Sequence, residues 1–191
     1  VQADFPEATI RTVPTLRGKV LAFGPRDAMT RVADMARIPD SAWSLRGERG
    51  LTYSDQVPLG NRVVAGEWWS PFHSGEPLVS VDGEQARAIG VDVGDYITIG
   101  ILGVERTARV ANLREVDWEN LGFNFTLVFS RNALADAPHN LSATIDLPDG
   151  ADDAARGALL RALVQEFPSS SVVEIGGLIV EGRKLLQQVA L

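Results

Sequence analysis

Two histidines, His73 and His139, are the side chains best suited to acid–base or metal chemistry, and their surroundings in sequence give neither of them partners. A zinc site draws on His, Cys and carboxylates at short characteristic spacings, and none flank these residues. The run Pro71-Phe72-His73-Ser74-Gly75 lacks the glycine two residues before the serine that a nucleophile elbow needs. Asp146, Asp149, Asp152 and Asp153 depart from the alternating order of a calcium loop and are read as a turn followed by a helix start. No Walker loop and no GxGxxG turn occurs, so an ATPase has to be a separate chain. The expectation is a non-enzymatic protein with no catalytic residues, no metal and no cofactor.

Two features fit contact better than chemistry. The polar run from Arg114 through Asp117 and Trp118 to Asn120 surrounds one aromatic with charge, as a binding loop does. Trp68 and Trp69 are adjacent, so on a strand they would face opposite ways and one of them would cover something outside the local core. Arg114, Asp117, Trp118, Asn120, Trp68 and Trp69 are therefore the candidate interaction surface, the alternatives being a solvated connection that Trp118 anchors to the core and a subdomain interface covered by the tryptophan pair. A net charge of -7 and a pI near 4.8 argue against nucleic acid as a partner, since phosphate recognition depends on clustered Lys and Arg. With no cysteine in the chain, disulfide and thiolate chemistry are excluded. The most apolar stretch, residues 96–104, is half the length of a bilayer span. A start at Val1 with no leader is expected of a fragment.

The elements that must position these residues follow from periodicity. Residues 8–13 and 15–23 read as two strands divided at Pro14, and 25–40 as a short helix between prolines. Residues 43–77 are rich in Gly, Pro and Trp and read as brief strands and turns. Asp82 with Gln85 predicts a reciprocal helix cap, and Gly90 the left-handed residue that closes the helix. Residues 95–102 and 104–113 form a hairpin about Gly103, with Ile97, Ile99 and Ile101 on one buried face. Strands are expected at 123–129 and 141–147, with a turn of helix near Asn132. A helix opening at Asp152 and Asp153 turns Ala155, Leu159, Leu163 and Phe167 to one side; a strand at 171–175 and a last helix at 177–191 complete the chain. The fold class is α+β: an α/β subdomain from 1–42 and 130–191, carrying an inserted β-rich subdomain, 43–129.

Several runs resemble the extracytoplasmic domain of FtsX-like and MacB-like ABC transporter permeases, most closely the YbbP-like group. They are Leu16-Arg17-Gly18-Lys19-Val20, Leu45-Arg46-Gly47-Glu48-Arg49-Gly50-Leu51-Thr52-Tyr53, Asn61-Arg62-Val63-Val64-Ala65-Gly66-Glu67-Trp68-Trp69 and Leu113-Arg114-Glu115-Val116-Asp117-Trp118, with Gly90-Val91-Asp92-Val93-Gly94-Asp95 as a weaker match. The likeness runs from Leu16 onward and departs at Gly122, where a basic residue or Pro is the family pattern. It implies a periplasmic domain set between the first two transmembrane helices of a permease in the bacterial inner membrane. It further implies a dimeric transporter driven by a separate ATPase subunit, a hydrophobic or lipid-like cargo to export or extract, and a periplasmic esterase or lysophospholipase as partner. A free-standing periplasmic binding or chaperone module is the alternative, and a hydrolase built on His73 or His139 the next. For a domain excised between two membrane helices, both chain ends are expected to emerge from the same pole, on the α/β subdomain.

Overall fold

Alternating apolar residues over short, turn-bounded runs make strands the dominant element, and the computed structural model describes residues 2–119 and 123–172. In chain order these are β1 (Thr9–Gly24), β2 (Thr30–Arg31), β3 (Arg49–Tyr53), β4 (Asn61–Gly66), β5 (Leu78–Asp82), α1 (Gly83–Ile89), β6 (Tyr96–Ile101), β7 (Val104–Val116), β8 (Leu127–Phe129), α2 (Arg131–Leu134), β9 (Asn140–Asp146) and α3 (Asp153–Glu166). The architecture is mixed sheet and helix. Contacts divide it into two compact units, Thr12–Ser142 and the terminal segments Val1–Arg11 with Ala143–Leu191.

In the first unit the strand pairings close on themselves. β1 pairs with β3, β3 with β8, β8 with β5, β5 with β7, β7 with β6, and β6 again with β1, forming a six-stranded barrel. Two of these ladders, β3–β8 and β5–β7, are parallel. Closure leaves these six strands no common open edge, and the interior is filled by side chains. Ile97, Ile99 and Ile101 are buried there as the alternation requires, with Leu51, Val79, Val81, Val110 and Phe129. β4 lies outside the ring, antiparallel to β7. β2 extends β1 by two residue pairs, and β9 also pairs with β1.

β1 runs unbroken through Pro14, where two strands were expected. The β1–β3 ladder begins beyond it, at Leu16 opposite Leu51, so it does not call on the missing N–H, while the Pro14 carbonyl accepts the Thr52 hydroxyl at 2.7 Å. No α-helix forms in residues 25–40. That segment holds β2 and a three-residue 3-10 turn, Val32–Asp34, whose preceding residue, Arg31, supplies no side-chain cap. Val32, Met35 and Ile38 still reach the core, so their spacing reflects packing of an irregular segment.

Asp82 caps α1 by accepting the Gln85 N–H, and Gly90 closes it in the left-handed region at φ 75°. The cap is not reciprocal. Gln85 turns away, accepts the Ser44 N–H at 3.1 Å and donates to the Ser41 carbonyl at 2.9 Å, pinning the segment that leads into β3. The β6–β7 hairpin turns on Leu102 and Gly103, both at positive φ, the pattern of a two-residue type I′ connection. β8 is shorter than expected, and Phe123 and Phe125 precede it in irregular chain.

In the terminal unit, Asp152 accepts the Ala155 N–H at 2.8 Å and opens α3, and Arg11 pairs with Asp146 at 3.5 Å. Leu159 is buried and Ala155 and Leu163 are half-buried, but Phe167 is exposed beyond the helix end. Ser171 and Val172 lie in no strand. The rest of the strand expected at 171–175, the last helix and both chain ends fall outside the described residues. The expected division at 42/43 and 129/130 differs from the compact units, because β1 hydrogen-bonds into both sides of the barrel and the Ser130 hydroxyl accepts the Leu78 N–H at 2.9 Å.

Candidate functional site

Antiparallel pairing of β4 with β7 sets Asn61 opposite Val116, Arg62 opposite Glu115 and Val63 opposite Arg114. The two polar runs of the sequence, 61–69 and 113–118, are thereby one structure. Alternation along β7 turns Arg114 inward and Glu115 outward. Arg114, expected on the contact surface, is 0% exposed. Its Nε donates to the Ser80 hydroxyl at 2.7 Å, one terminal nitrogen donates to Asn61 Oδ1, and the other to the carbonyls of Phe125 at 2.9 Å and Thr126 at 3.0 Å. Ser80 passes its own proton to Asn112 Oδ1, and Asn112 donates to the Glu67 carbonyl at 3.2 Å. Burial pushes the guanidinium down to about 10, which leaves it charged at neutral pH, and nearby Asp82 opposes that shift. Burial also raises Asp82 above the usual carboxylate range, against its backbone hydrogen bonds to Gln85 and Glu84. Arg114 is thus a strut that ties β4, β5, β7 and the approach to β8 together.

The outward side of the same strands is a shallow groove lined by Gly60, Arg62, Glu115, Val116, Asp117, Trp118 and Glu119. Arg62 and Glu115 form an ion pair across the ladder. Past Val116 the chain leaves the sheet, and Asp117 Oδ1 accepts the Glu119 N–H at 3.1 Å, a local turn that brings Trp118 out. Trp118 is 44% exposed and meets Trp43 edge-on, with ring centroids 6.0 Å apart. Arg49 lies 5.0 Å from the Trp43 centroid and donates to its carbonyl. Asp117 and Trp118 are therefore together on an accessible face, while Asn120 falls outside the described residues.

Trp68 and Trp69 are not part of that groove, and they do not face opposite ways. Gly66, at φ 72°, ends β4 before them, so strand alternation no longer applies. Their rings stack at 4.0 Å, and their indole N–H groups donate to the carbonyls of Asp55 at 3.1 Å and Ser54 at 2.9 Å. They fasten residues 54–55 to the end of β4.

A second cluster was not singled out by the sequence. Arg131 pairs with Asp55 at 2.7 Å and sits over the rings of Tyr53, 5.7 Å away, and Phe72, 5.4 Å away. The hydrogen bond from Arg131 holds Asp55 below the usual carboxylate range, and Asp55 raises Arg131. His139 Nδ1 donates to the Ala137 carbonyl at 2.8 Å, and Nε2 lies 3.3 Å from the Tyr53 hydroxyl. His73 Nε2 lies 2.9 Å from the Glu76 carbonyl. The one available signal was Tyr53 closing a family-like run; Asp55, Phe72 and Arg131 stand too far apart in sequence to suggest a group. Among the described residues, no group of three or more His, Asp or Glu could hold a metal ion. No described helix is long and apolar enough to cross a membrane.

No family model matches the chain. Over 154 residues, 81% of its length, it is 30% identical to the uncharacterized ABC transporter permease YbbP of Escherichia coli (strain K12), and it spans 18% of that relative's length. Among solved structures, a domain of a Porphyromonas gingivalis protein described as a permease is similar with a TM-score of 0.47 and 14% identity, covering 91% of this chain and 76% of that one. Through 81% of its residues, the chain is homologous to a segment of a YbbP-like ABC transporter permease.

Proposed function

We infer that this chain is the extracytoplasmic part of an ABC transporter permease of the bacterial inner membrane. In this reading the domain is joined to transmembrane helices of the same permease, as in MacB-like proteins. A separate ATPase subunit drives the motion, the transporter works as a dimer, and the cargo is hydrophobic or lipid-like. An esterase or lysophospholipase on the same side is the proposed enzymatic partner. The supporting observation is the 30% identity to a permease over 81% of the chain. The face built by β4 and β7 is where such a domain would meet its substrate or partner, because it is the accessible side of two family-like runs.

The side of the membrane is tested with a single cysteine. The chain has none, and Leu102 at the hairpin tip is 81% exposed. In a cysteine-free full-length permease, Leu102→Cys is expected to react with a membrane-impermeant maleimide in intact spheroplasts. Labelling that requires lysis would place the domain in the cytoplasm and end this reading.

The role of the face is tested with Asp117→Ala. The side chain is exposed and its bond from the Glu119 N–H closes a local turn, so unfolding free energy should change by no more than about 0.5 kcal/mol. Transport by the reconstituted permease and its ATPase is expected to fall several-fold nonetheless. A variant that loses folded protein instead would make Asp117 a structural residue.

A further inference from the structure

The β4–β7 groove carries charge and an aromatic in a combination that selects its occupant. Arg62 and Glu115 neutralise each other, whereas Asp117 and Glu119 have no cationic partner among the described residues. Neighbouring positions 120–122 are Asn, Leu and Gly and add no positive charge. Trp118 lies between these two acids in sequence, exposed yet braced by its edge contact with Trp43. A held indole is a low-entropy anchor of the kind that dominates protein interfaces, and its face attracts guanidinium and ammonium groups. The same region already shows this packing internally, with Arg49 over Trp43.

Charge also removes competing occupants. Anionic lipid headgroups and nucleic acid would be set against Asp117 and Glu119 on a chain of net charge -7. A second copy docking through this face about a twofold axis would bring the same acids against each other. The groove is not enclosed, as a site for a small apolar ligand would be.

We propose that the groove formed by Asp117, Trp118 and Glu119 receives a protein partner through a Lys or Arg side chain flanked by an apolar residue, the cation meeting the carboxylates and the apolar group covering Trp118. This rests on reading the β4–β7 side as a contact face and adds the chemistry of what contacts it. The mode requires no movement of the barrel, because the buried Arg114 network fixes the strands beneath.

The probe is a twelve-residue peptide alternating Lys and Leu, titrated into the 191-residue chain at low salt and followed by the Trp118 indole N–H resonance. The expected result is a saturable shift of that resonance, with affinity, measured for every variant by titration calorimetry, falling about thirtyfold in Trp118→Ala. Affinity should fall about fivefold in the double variant Asp117→Asn, Glu119→Gln, and not in the control Glu7→Gln, Asp34→Asn, which removes equal charge elsewhere. A peptide alternating Glu and Leu should leave the resonance in place. The proposal is overturned if the resonance does not move, if both double variants weaken binding alike, or if phosphatidylglycerol vesicles shift Trp118 while the Lys peptide does not. Should the peptide fail while Asp117→Ala still impairs transport, the contact-face reading survives and only the cationic partner is lost.

Discussion

Arg114→Ala is expected to lower the unfolding free energy of the chain by about 3–5 kcal/mol, the cost of taking one partner out of a buried ionic network. The side chain is 0% exposed, and among its acceptors Ser80 and Thr126 are buried while Asn61 and Phe125 are half-buried. Removing it leaves the Phe125 carbonyl and Asn61 Oδ1 short of a donor, at about 1–3 kcal/mol per orphaned group before relaxation, while the Thr126 carbonyl keeps the Asp82 N–H at 2.9 Å and the Ser80 hydroxyl keeps its bond to Asn112. It also leaves buried Asp82 without the cation that favours its ionised form. Arg114→Lys should recover less than half of the loss, because one ammonium cannot span acceptors that a planar guanidinium reaches from three nitrogens. Urea denaturation followed by tryptophan emission measures both variants. A loss under about 1 kcal/mol for the alanine variant would show that the network is dispensable and that Arg114 is not the strut of this face.

Gly66→Ala should destabilise the protein by about 3 kcal/mol or more through an unrelated cause. Gly66 sits at φ 72°, a region that costs an L-residue about 1–2 kcal/mol. A Cβ there would lie 2.2 Å from the Ala111 carbonyl oxygen and 3.0 Å from Asn112 Cα, both backbone atoms of β7. Relief requires β4 to lift from β7 at the Gly66–Asn112 pair, which also pulls on the Asn112 bond to the Glu67 carbonyl and on the stacked tryptophans that follow. The expected signature is a lowered thermal midpoint together with a loss of near-ultraviolet dichroism from Trp68 and Trp69. An unchanged midpoint would mean that the backbone at Gly66 tolerates a side chain and that the strand end is not set there. In the full permease both this variant and Arg114→Ala should reduce transport only in proportion to the folded protein that remains, unlike Asp117→Ala.

Much of the local structure was legible because it depends on neighbours in sequence. The alternation of Ile97, Ile99 and Ile101, the turn at Gly103, the Asp82 and Asp152 caps and the left-handed Gly90 are each decided within a few residues, where hydrogen-bond reach and φ preference act. The absence of cysteine and of phosphate-binding loops constrained the chemistry equally early. The family-like runs pointed to a permease before any coordinates did, since residue identity is what such likeness measures.

Errors arose where a local rule met a distant partner. Pro14 suggests a division between two strands, yet β1 continues through it and the β1–β3 ladder starts two residues later. Gln85 was assigned back to its own helix end, while the Ser41 and Ser44 backbone lay within reach across the fold. Residues 25–40 have helical spacing in Ala28, Val32, Met35 and Ala36, but an irregular segment lays Val32 and Met35 on the core and leaves both alanines exposed.

By itself, the sequence determined that this is a strand-rich, acidic, cysteine-free chain akin to a permease segment, with Asp117 and Trp118 beside each other in a polar run. Tertiary structure alone decided that Arg114, three residues before Asp117, belongs to the interior, that the six central strands close into a barrel, and that Trp68 and Trp69 stack on one side instead of parting. The physical reason is that burial of a charge depends on acceptors gathered from β4, β5 and the approach to β8, segments separated from Arg114 by up to 53 positions. Composition cannot reveal whether those acceptors converge; only the register of β4 on β7 and of β5 on β7 brings them within hydrogen-bond distance of a single guanidinium.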